Sequence, residues 1–226
     1  MSSMPAGRGV IEPVEGAALH ALSLPARRFT GDFYFTHRAD DALWLALGDV
    51  AGKGLHAAVI MAVIQEELEH RIASCARTAC DPAVTMQRLH EVLRPILPPN
   101  RFATAVIARL HDDGTLLLAN AGHCPPLIAR AGGRIEQIGS TGPAAGILEP
   151  SRWTTARRRL APGETLLLYS DGLIEANDFG VPALSGALRA AASQNPSPRS
   201  IAAALARAVR DHGGIDDDLT LLVATR

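Results

Sequence analysis

The chain has 226 residues, of which 47% are hydrophobic and 20% charged, and its formal net charge is −1. That length suffices for one large domain with a substantial core, and the balanced charge gives no electrostatic case for nucleic acid or an anionic membrane as partner. No run approaches the roughly 18 apolar residues of a spanning helix, and "MSSMPAGRGV" lacks the apolar core of a signal peptide, so a cytoplasmic protein is expected.

Residues 1–16 are rich in Gly, Pro and Ser and read as a flexible lead-in, leaving residues 17–226 as the folded domain. "ALHALSL" (18–24), "GDFYFTHR" (31–38) and "ALWLALGD" (42–49) have strand length and composition and predict a three-stranded meander. Residues 55–73 are apolar nearly all round at first and amphipathic later, the pattern of a helix entering beneath a sheet. A second helix opens with Asp81 as N-cap and Pro82 in its first turn, and Pro95 ends it. Strands return at 102–110, 115–122, 126–131, 134–139, 152–160 and 165–172, helices at 182–193 and 198–213, and the chain closes on the strand "DLTLLVATR". Runs of strands and helix pairs segregated in this way predict an α+β fold of antiparallel sheets with helix pairs on two outer faces.

Three cysteines, Cys75, Cys80 and Cys124, are odd in number and lack C-x-x-C spacing, so reduced thiols are expected. Arginines 157–159 lie in a strand pattern and read as a solvated edge, and Trp44 and Trp153 as strand packing residues. The glycine-rich turn in "LALGDVAGKGLHAAVIMAVIQ" (45–65) invites a phosphate-loop reading, but the spacing opposes it. Only three residues separate Gly48 from Gly52-Lys53, and no Ser or Thr follows the lysine. What remains is an acid at a strand end beside a tight turn. Lys53 and His56 are read as solvated residues of that turn and helix start.

If the hairpin turn is centred between Asp40 and Asp41, Asp32 and Asp49 lie directly opposite each other, with Cβ atoms roughly 5 Å apart. A slip of one residue would remove the pairing. Like charges at that distance are unfavourable unless a cation sits between them. Asp171 in "LLLYSDGL" and the triplet Asp216, Asp217, Asp218 before "LTLLV" also sit at the rims of buried strands. One such aspartate is most simply a turn residue; four sites together point to a metal centre. Carboxylates without imidazole or thiolate partners suit Mg²⁺ or Mn²⁺, and the chemistry they predict is metal-assisted hydrolysis.

The segments "TGDFYF", "LGDVAGKGLHAAVIMA", "FATAVIARL", "LANAGHCPPLI", "LLLYSDGLIEAND" and "DDLTLLV" occur in the order and spacing of one known group. The chain resembles, over about residues 17–226, the SpoIIE/RsbU-like branch of PP2C-type (PPM) serine/threonine phosphatases. The resemblance implies an α-β-β-α sandwich of two antiparallel sheets flanked by helix pairs. It implies two Mn²⁺ or Mg²⁺ ions, with Asp49 bridging them, the Val50 carbonyl as a further ligand, Asp32 on one ion, and Asp171 and Asp217 completing the other. Asp217 is preferred to Asp218 because the motif Asp-(Asp/Asn)-x-Thr begins there. Gly52 and Gly54 match the motif glycines, and Arg27 stands where some relatives place a phosphate-binding arginine.

The implied activity is hydrolysis of phosphoserine or phosphothreonine by water bridging the two ions, usually on a STAS-domain anti-sigma-factor antagonist. An N-terminal sensor or receiver domain in a longer parent protein is also implied. Two departures from the group's Gly-Gly-Asp-Phe-Tyr-Asp pattern are Thr30 and Phe35. They support an alternative, a catalytically silent binding module of the same fold and pathway, against which the intact aspartates stand. A third reading is a hydrolase for small phosphate esters or nucleotides. His123 and Cys124 invite a thiolate nucleophile, but Pro125-Pro126 rule out the helix start a cysteine phosphatase needs, and both read as structural strand-end residues.

Overall fold

Every residue of β3 (Ala42–Val50) except Asp49 is buried, because different layers cover the two faces of the strand. Trp44 and Ala46 face a helix pair, while Leu43, Leu45 and Leu47 face a second sheet, the alternation expected of a strand with period two. The computed structural model describes residues 17–24, 31–39, 41–52, 55–73, 80–147, 149–176, 179–213 and 217–226.

Among these residues one five-stranded sheet has the order β2 (Asp32–Ala39), β3, β4 (Ala103–His111), β5 (Thr115–Ala121), β8 (Ala156–Arg159). The other runs β1 (Ala18–Leu24), β10 (Leu219–Thr225), β9 (Thr165–Tyr169), β6 (Leu127–Ala129), β7 (Ile135–Gln137). Helices α1 (Leu55–Ala73) and α2 (Pro82–Leu93) cover the first sheet with Ile60, Ile64, Leu68, Met86 and Leu89. Helices α3 (Gly180–Gln194) and α4 (Pro198–His212) cover the second with Leu184, Leu188, Ile201 and Leu205. The buried positions of each helix recur three or four residues apart, so a single apolar stripe meets the sheet. Three apolar layers therefore alternate with four layers of backbone, the α-β-β-α sandwich expected.

Helix boundaries follow side-chain caps. Asp81 accepts the Ala83 N–H at 2.8 Å with Pro82 in the first turn of α2, and the Asp81 carboxylate also accepts from the Thr155 hydroxyl. Ser197 accepts the Ser200 N–H at 3.2 Å at the start of α4, and Gly213 ends that helix at φ +148°, a conformation open to glycine without strain. None of the described helices is long and apolar enough to cross a membrane.

The structure corrects four sequence expectations. First, β1 does not extend a meander with β2 and β3. It pairs antiparallel with β10 in the other sheet, from Ala18 opposite Thr225 to Leu24 opposite Leu219. There Leu19 and Ala21 complete the layer between the sheets, burial that an edge position beside β2 would have duplicated. Second, the strand expected at 152–160 shortens to β8. Trp153 precedes it, its indole N–H donating to Pro143 O at 2.9 Å and its ring packed in the layer under α1 and α2. Third, β8 is an edge strand with Arg157 and Arg159 exposed, as expected, but Arg158 is also ion-paired: its Nε lies 2.6 Å from Glu136, which also binds Arg130 at 2.5 Å. The network joins the two sheets at their β7 and β8 edges, where the half-buried Glu136 carboxylate meets two guanidinium groups. Fourth, Cys80 is disulfide-bonded. Its position just before the Asp81 cap holds the entry to α2, and Cys75, the remaining cysteine besides free Cys124, lies outside the described residues.

Candidate metal centre

The β2–β3 pairing has the expected register, with Asp32 opposite Asp49 and Ala39 opposite Ala42 at the turn. One step further, the Val50 N–H donates to Gly31 O at 3.1 Å. Gly31 is required here by contact: a Cβ at this position would collide with Asp49 Oδ1 and lie 3.0 Å from Val50 O. Both expected ligand oxygens of this strand end therefore face one small space that only a glycine leaves open. Gly48 is under a similar constraint, since a Cβ there would strike Thr104 O and the Phe33 ring.

The opposite sheet supplies the remaining carboxylates at the same end of the sandwich. Asp171 follows β9 and opens a short 3₁₀ turn (Asp171–Leu173), whose Ile174 N–H donates to Asp171 O at 2.8 Å. A Cβ on Gly172 would collide with Asp218 O and stand 3.4 Å from Asp217 O, so this glycine sets the close approach of Asp171 to the Asp217-Asp218 backbone. The two strands are clamped just below, Ser170 N–H donating to Thr220 O and Thr220 N–H to Ser170 Oγ, both at 2.9 Å.

Ser170 and Thr220 also reach across to the first sheet, where their hydroxyls hydrogen-bond the Asp32 carboxylate. Burial pushes the Asp32 carboxyl up to about 7; those two hydrogen bonds pull it down, and the charges of Asp49 and Asp171 add to the rise. Asp49 is pushed up to about 6 by burial first and then by Asp171, Asp217 and Asp218. Asp171 is raised by its own burial, with Asp217 and Asp218 contributing. The structure thus brings together Asp32, Asp49, Val50, Asp171 and Asp217, with Asp218 beside them. Arg27, Thr30, Lys53, Gly54 and Asp216 lie outside the described residues.

Among the described residues, no three His, Cys, Asp or Glu side chains converge closely enough to encircle an ion unaided. The carboxylates instead form an open, all-oxygen ring of one charge sign. That donor set fits hard divalent ions that keep part of their water shell, and the mutual repulsion that lifts the carboxyl groups is what such cations would relieve.

Two predictions arise from this geometry. The Gly31→Ala variant should move the Asp49 carboxylate, the flexible partner in the collision, rather than the fold. Manganese-dependent activity is expected to fall by roughly 10²-fold, with the melting temperature lowered by only a few degrees; paired activity and thermal melts check this. The second concerns pH in EDTA. Asp32 and Asp49 have folded pKa values above their unfolded ones, so the folded state binds more protons between the two. Their stabilising contribution is complete below the unfolded value of 3.8 and is lost as pH rises through about 6 to 7. Thermal melts in EDTA should therefore show a falling melting temperature from pH 5 to pH 8. Asp32→Asn should flatten that slope and Mn²⁺ should reverse it.

Sequence reasoning missed the roles of Ser170 and Thr220, although both lie inside recognised segments, because their contact with Asp32 exists only once the sheets face each other. His123 and Cys124 are structural, as expected. His123 Nδ1 lies 2.9 Å from Thr104 Oγ1, and its backbone is clamped by Asn120 through bonds of 2.8 and 3.1 Å. Burial lowers its pKa to about 4, leaving a neutral ring. Burial, and then the charges of Asp171, Glu175 and Asp32, push the Cys124 thiol up to about 12, which leaves no thiolate nucleophile. Phe35, standing where the pattern has an aspartate, fills the layer under α1 and α2 at 3% exposure, on the opposite face of β2 from the Asp32 carboxylate.

Residues 39–226 match the family model described as stage II sporulation protein E. The chain belongs to the SpoIIE family. It is 26% identical over 163 residues to the phosphoserine phosphatase RsbU of Bacillus subtilis, covering 71% of this chain and 48% of that protein. The chain spans less than half of the length of the curated relatives it matches. Among solved structures, the RsbU and RsbW domains of Rv1364c from Mycobacterium tuberculosis superpose with a TM-score of 0.81 at 26% identity, covering 93% of this chain and 60% of that one. The catalytic domain of the serine/threonine phosphatase PstP, in complex with two manganese ions, shares the fold with a TM-score of 0.63 at 19% identity, covering 92% of this chain and 98% of that one. The SpoIIE-family sandwich is thus the PP2C-like fold.

Proposed function

We propose that this SpoIIE-family domain, residues 17–226, is a metal-dependent phosphatase that hydrolyses phosphoserine or phosphothreonine. The observation that carries this reading is the convergence of Asp32 and Asp49 from one sheet with Asp171 and Asp217 from the other. Two Mn²⁺ or Mg²⁺ ions, when bound, supply the Lewis acidity that lowers the pKa of water and neutralises phosphoryl oxygens. Asp49 and the Val50 carbonyl, facing the space beside Gly31, and Asp32 would hold one side of that pair; Asp171 and Asp217 would hold the other. Ser170 and Thr220 fix the Asp32 carboxylate and link the halves of the centre. Cys124 is protonated and His123 neutral and buried, so neither serves as a nucleophile at the rim. Arg27 is the proposed contact to the substrate phosphate.

The substrate proposed is a phosphorylated STAS-domain anti-sigma-factor antagonist, supported by the kinship with RsbU and with a protein that joins RsbU and RsbW domains. The short share of its relatives' length supports a sensor or receiver domain preceding it in a longer parent. The silent binding module loses one of its two supports, because Phe35 serves the core. The test is phosphate release from a phosphoserine STAS-domain protein, run beside a nucleoside monophosphate under Mn²⁺. A kcat/KM at least about 10²-fold higher on the protein is expected for a site that spends binding energy on a protein partner; equal or better turnover of the nucleotide would make this a small-ester hydrolase.

A further inference from the structure

Phe102 (36% exposed), whose carbonyl binds the segment after Asp49, and Ile96 (39%) and Ile147 (48%) on adjoining segments present large apolar side chains to solvent. Single exposed side chains of this kind are ordinary; a group of them at the mouth of a site is not. Their segments are fastened together at the end of the sandwich that carries the aspartates. Ala51, two residues past Asp49, donates its N–H to Phe102 O at 2.9 Å, and Ala103 and Ala145 exchange backbone hydrogen bonds of 2.9 and 2.8 Å. Gly146, at φ +90°, packs against the Leu97 side chain and brings Ile147 beside the 96–102 segment.

The turn that presents Phe102 is fixed by a local hydrogen bond and a left-handed asparagine. Arg101 N–H closes it on Pro98 O at 3.0 Å, and Asn100 is held at φ +61°, a left-handed conformation few non-glycine residues adopt. The turn leaves Arg101 exposed, and its guanidinium has no hydrogen-bond or ion-pair partner among the described residues.

We propose that this ledge seats an apolar side chain that neighbours the phosphorylated residue of a protein substrate, with Arg101 drawing the phosphate toward the aspartates. The inference rests on the phosphatase reading above and adds to it the character of the substrate. The ledge is continuous with the centre through the Ala51–Phe102 bond, so a chain segment delivering phosphate to Asp49 passes over it. A ring of carboxylates repels an approaching phosphate, and an unpaired guanidinium at the rim is the complementary charge that offsets this. A polypeptide carries side chains on both sides of its phosphorylated residue, so it can occupy the apolar surface and the centre at once.

The test compares p-nitrophenyl phosphate with two phosphoserine peptides under Mn²⁺, one flanked by leucines and one by glycines. The unaltered enzyme should favour the leucine peptide about tenfold in kcat/KM, the factor expected from partial burial of one leucine side chain. Phe102→Ala and Ile147→Ala should each erode that preference relative to turnover of p-nitrophenyl phosphate. Arg101→Ala should lower kcat/KM on both peptides while keeping their ratio. Hydrolysis of p-nitrophenyl phosphate without any leucine preference, or a preference that survives Phe102→Ala, would overturn the docking surface and leave the phosphatase reading intact. So would a dimer that Phe102→Glu dissociates, since the ledge would then be covered by a second copy. No hydrolysis of p-nitrophenyl phosphate at all would overturn both.

Discussion

Replacing Asp49 with asparagine is expected to reduce manganese-dependent hydrolysis of p-nitrophenyl phosphate by about 10³-fold or more, with the fold intact. Asp49 faces the carboxylates of the other sheet, since Asp171, Asp217 and Asp218 all raise its pKa after burial. An amide keeps the size of the side chain and removes its charge, so the loss measures what this carboxylate contributes to holding the ions and, through them, to activating water. The same change removes a like-charge repulsion from the protein in EDTA. Asp49→Asn should therefore melt at or above the temperature of the unaltered protein in EDTA and fail to gain the stabilisation that Mn²⁺ gives the unaltered one. Loss of activity together with a collapse of the melting temperature would instead mark Asp49 as a structural residue.

The second large effect is expected at Gly172. Its Cβ would meet the backbone of Asp218, with the carbonyl carbon at 2.9 Å and Asp217 O at 3.4 Å. Backbone held between β9 and β10 cannot yield as a side-chain tip can, so Gly172→Ala must push the Asp171 turn away from Asp217 and Asp218. The expected cost is about 1–3 kcal/mol of stability, as for overpacking of a tight contact, together with a severe loss of activity because the second sheet's carboxylates no longer meet. Chemical denaturation and steady-state kinetics check the two parts. The contrast with Gly31→Ala is informative. There the obstruction is mainly the Asp49 carboxylate tip, so activity should fall with little change in stability.

Much of this arrangement was legible in the sequence, for reasons that differ by element. The β2–β3 register followed from a tight turn and period-two patterning, which leave little freedom once one face must be buried. The cap of α2 followed from Asp81-Pro82; that of α4, Ser197, emerged only in the structure. The place of β1 was not legible, because adjacency in sequence favours pairing with β2 while its true partner β10 lies at the far end of the chain. An alternating strand such as "ALHALSL" satisfies either edge equally, and only the completed layer between the sheets decides. Arg158 misled for a related reason: a run of arginines on an edge strand looks solvated until Glu136, on the other sheet, is seen to face it.

The centre itself shows the same division. Aspartates at strand ends announce themselves one at a time, each weakly, and the motifs in order supply the assembly. Ser170 and Thr220 carry no such signal, since a serine and a threonine beside aspartates are ordinary turn residues until both sheets are in place. Phe35 shows the converse. Its difference from the motif supported a silent binding module, yet its ring faces the helices, and the alternation of β2 puts it on the other face from Asp32.

Equilibrium dialysis against Mn²⁺, with the unaltered protein and Asp49→Asn in parallel, tests the central claim most directly. The convergence of carboxylates from both sheets predicts about two ions bound per chain, in keeping with two-metal hydrolases, and fewer than one in the variant. Retention of the same manganese stoichiometry by Asp49→Asn, or no ion bound by the unaltered protein, would contradict it.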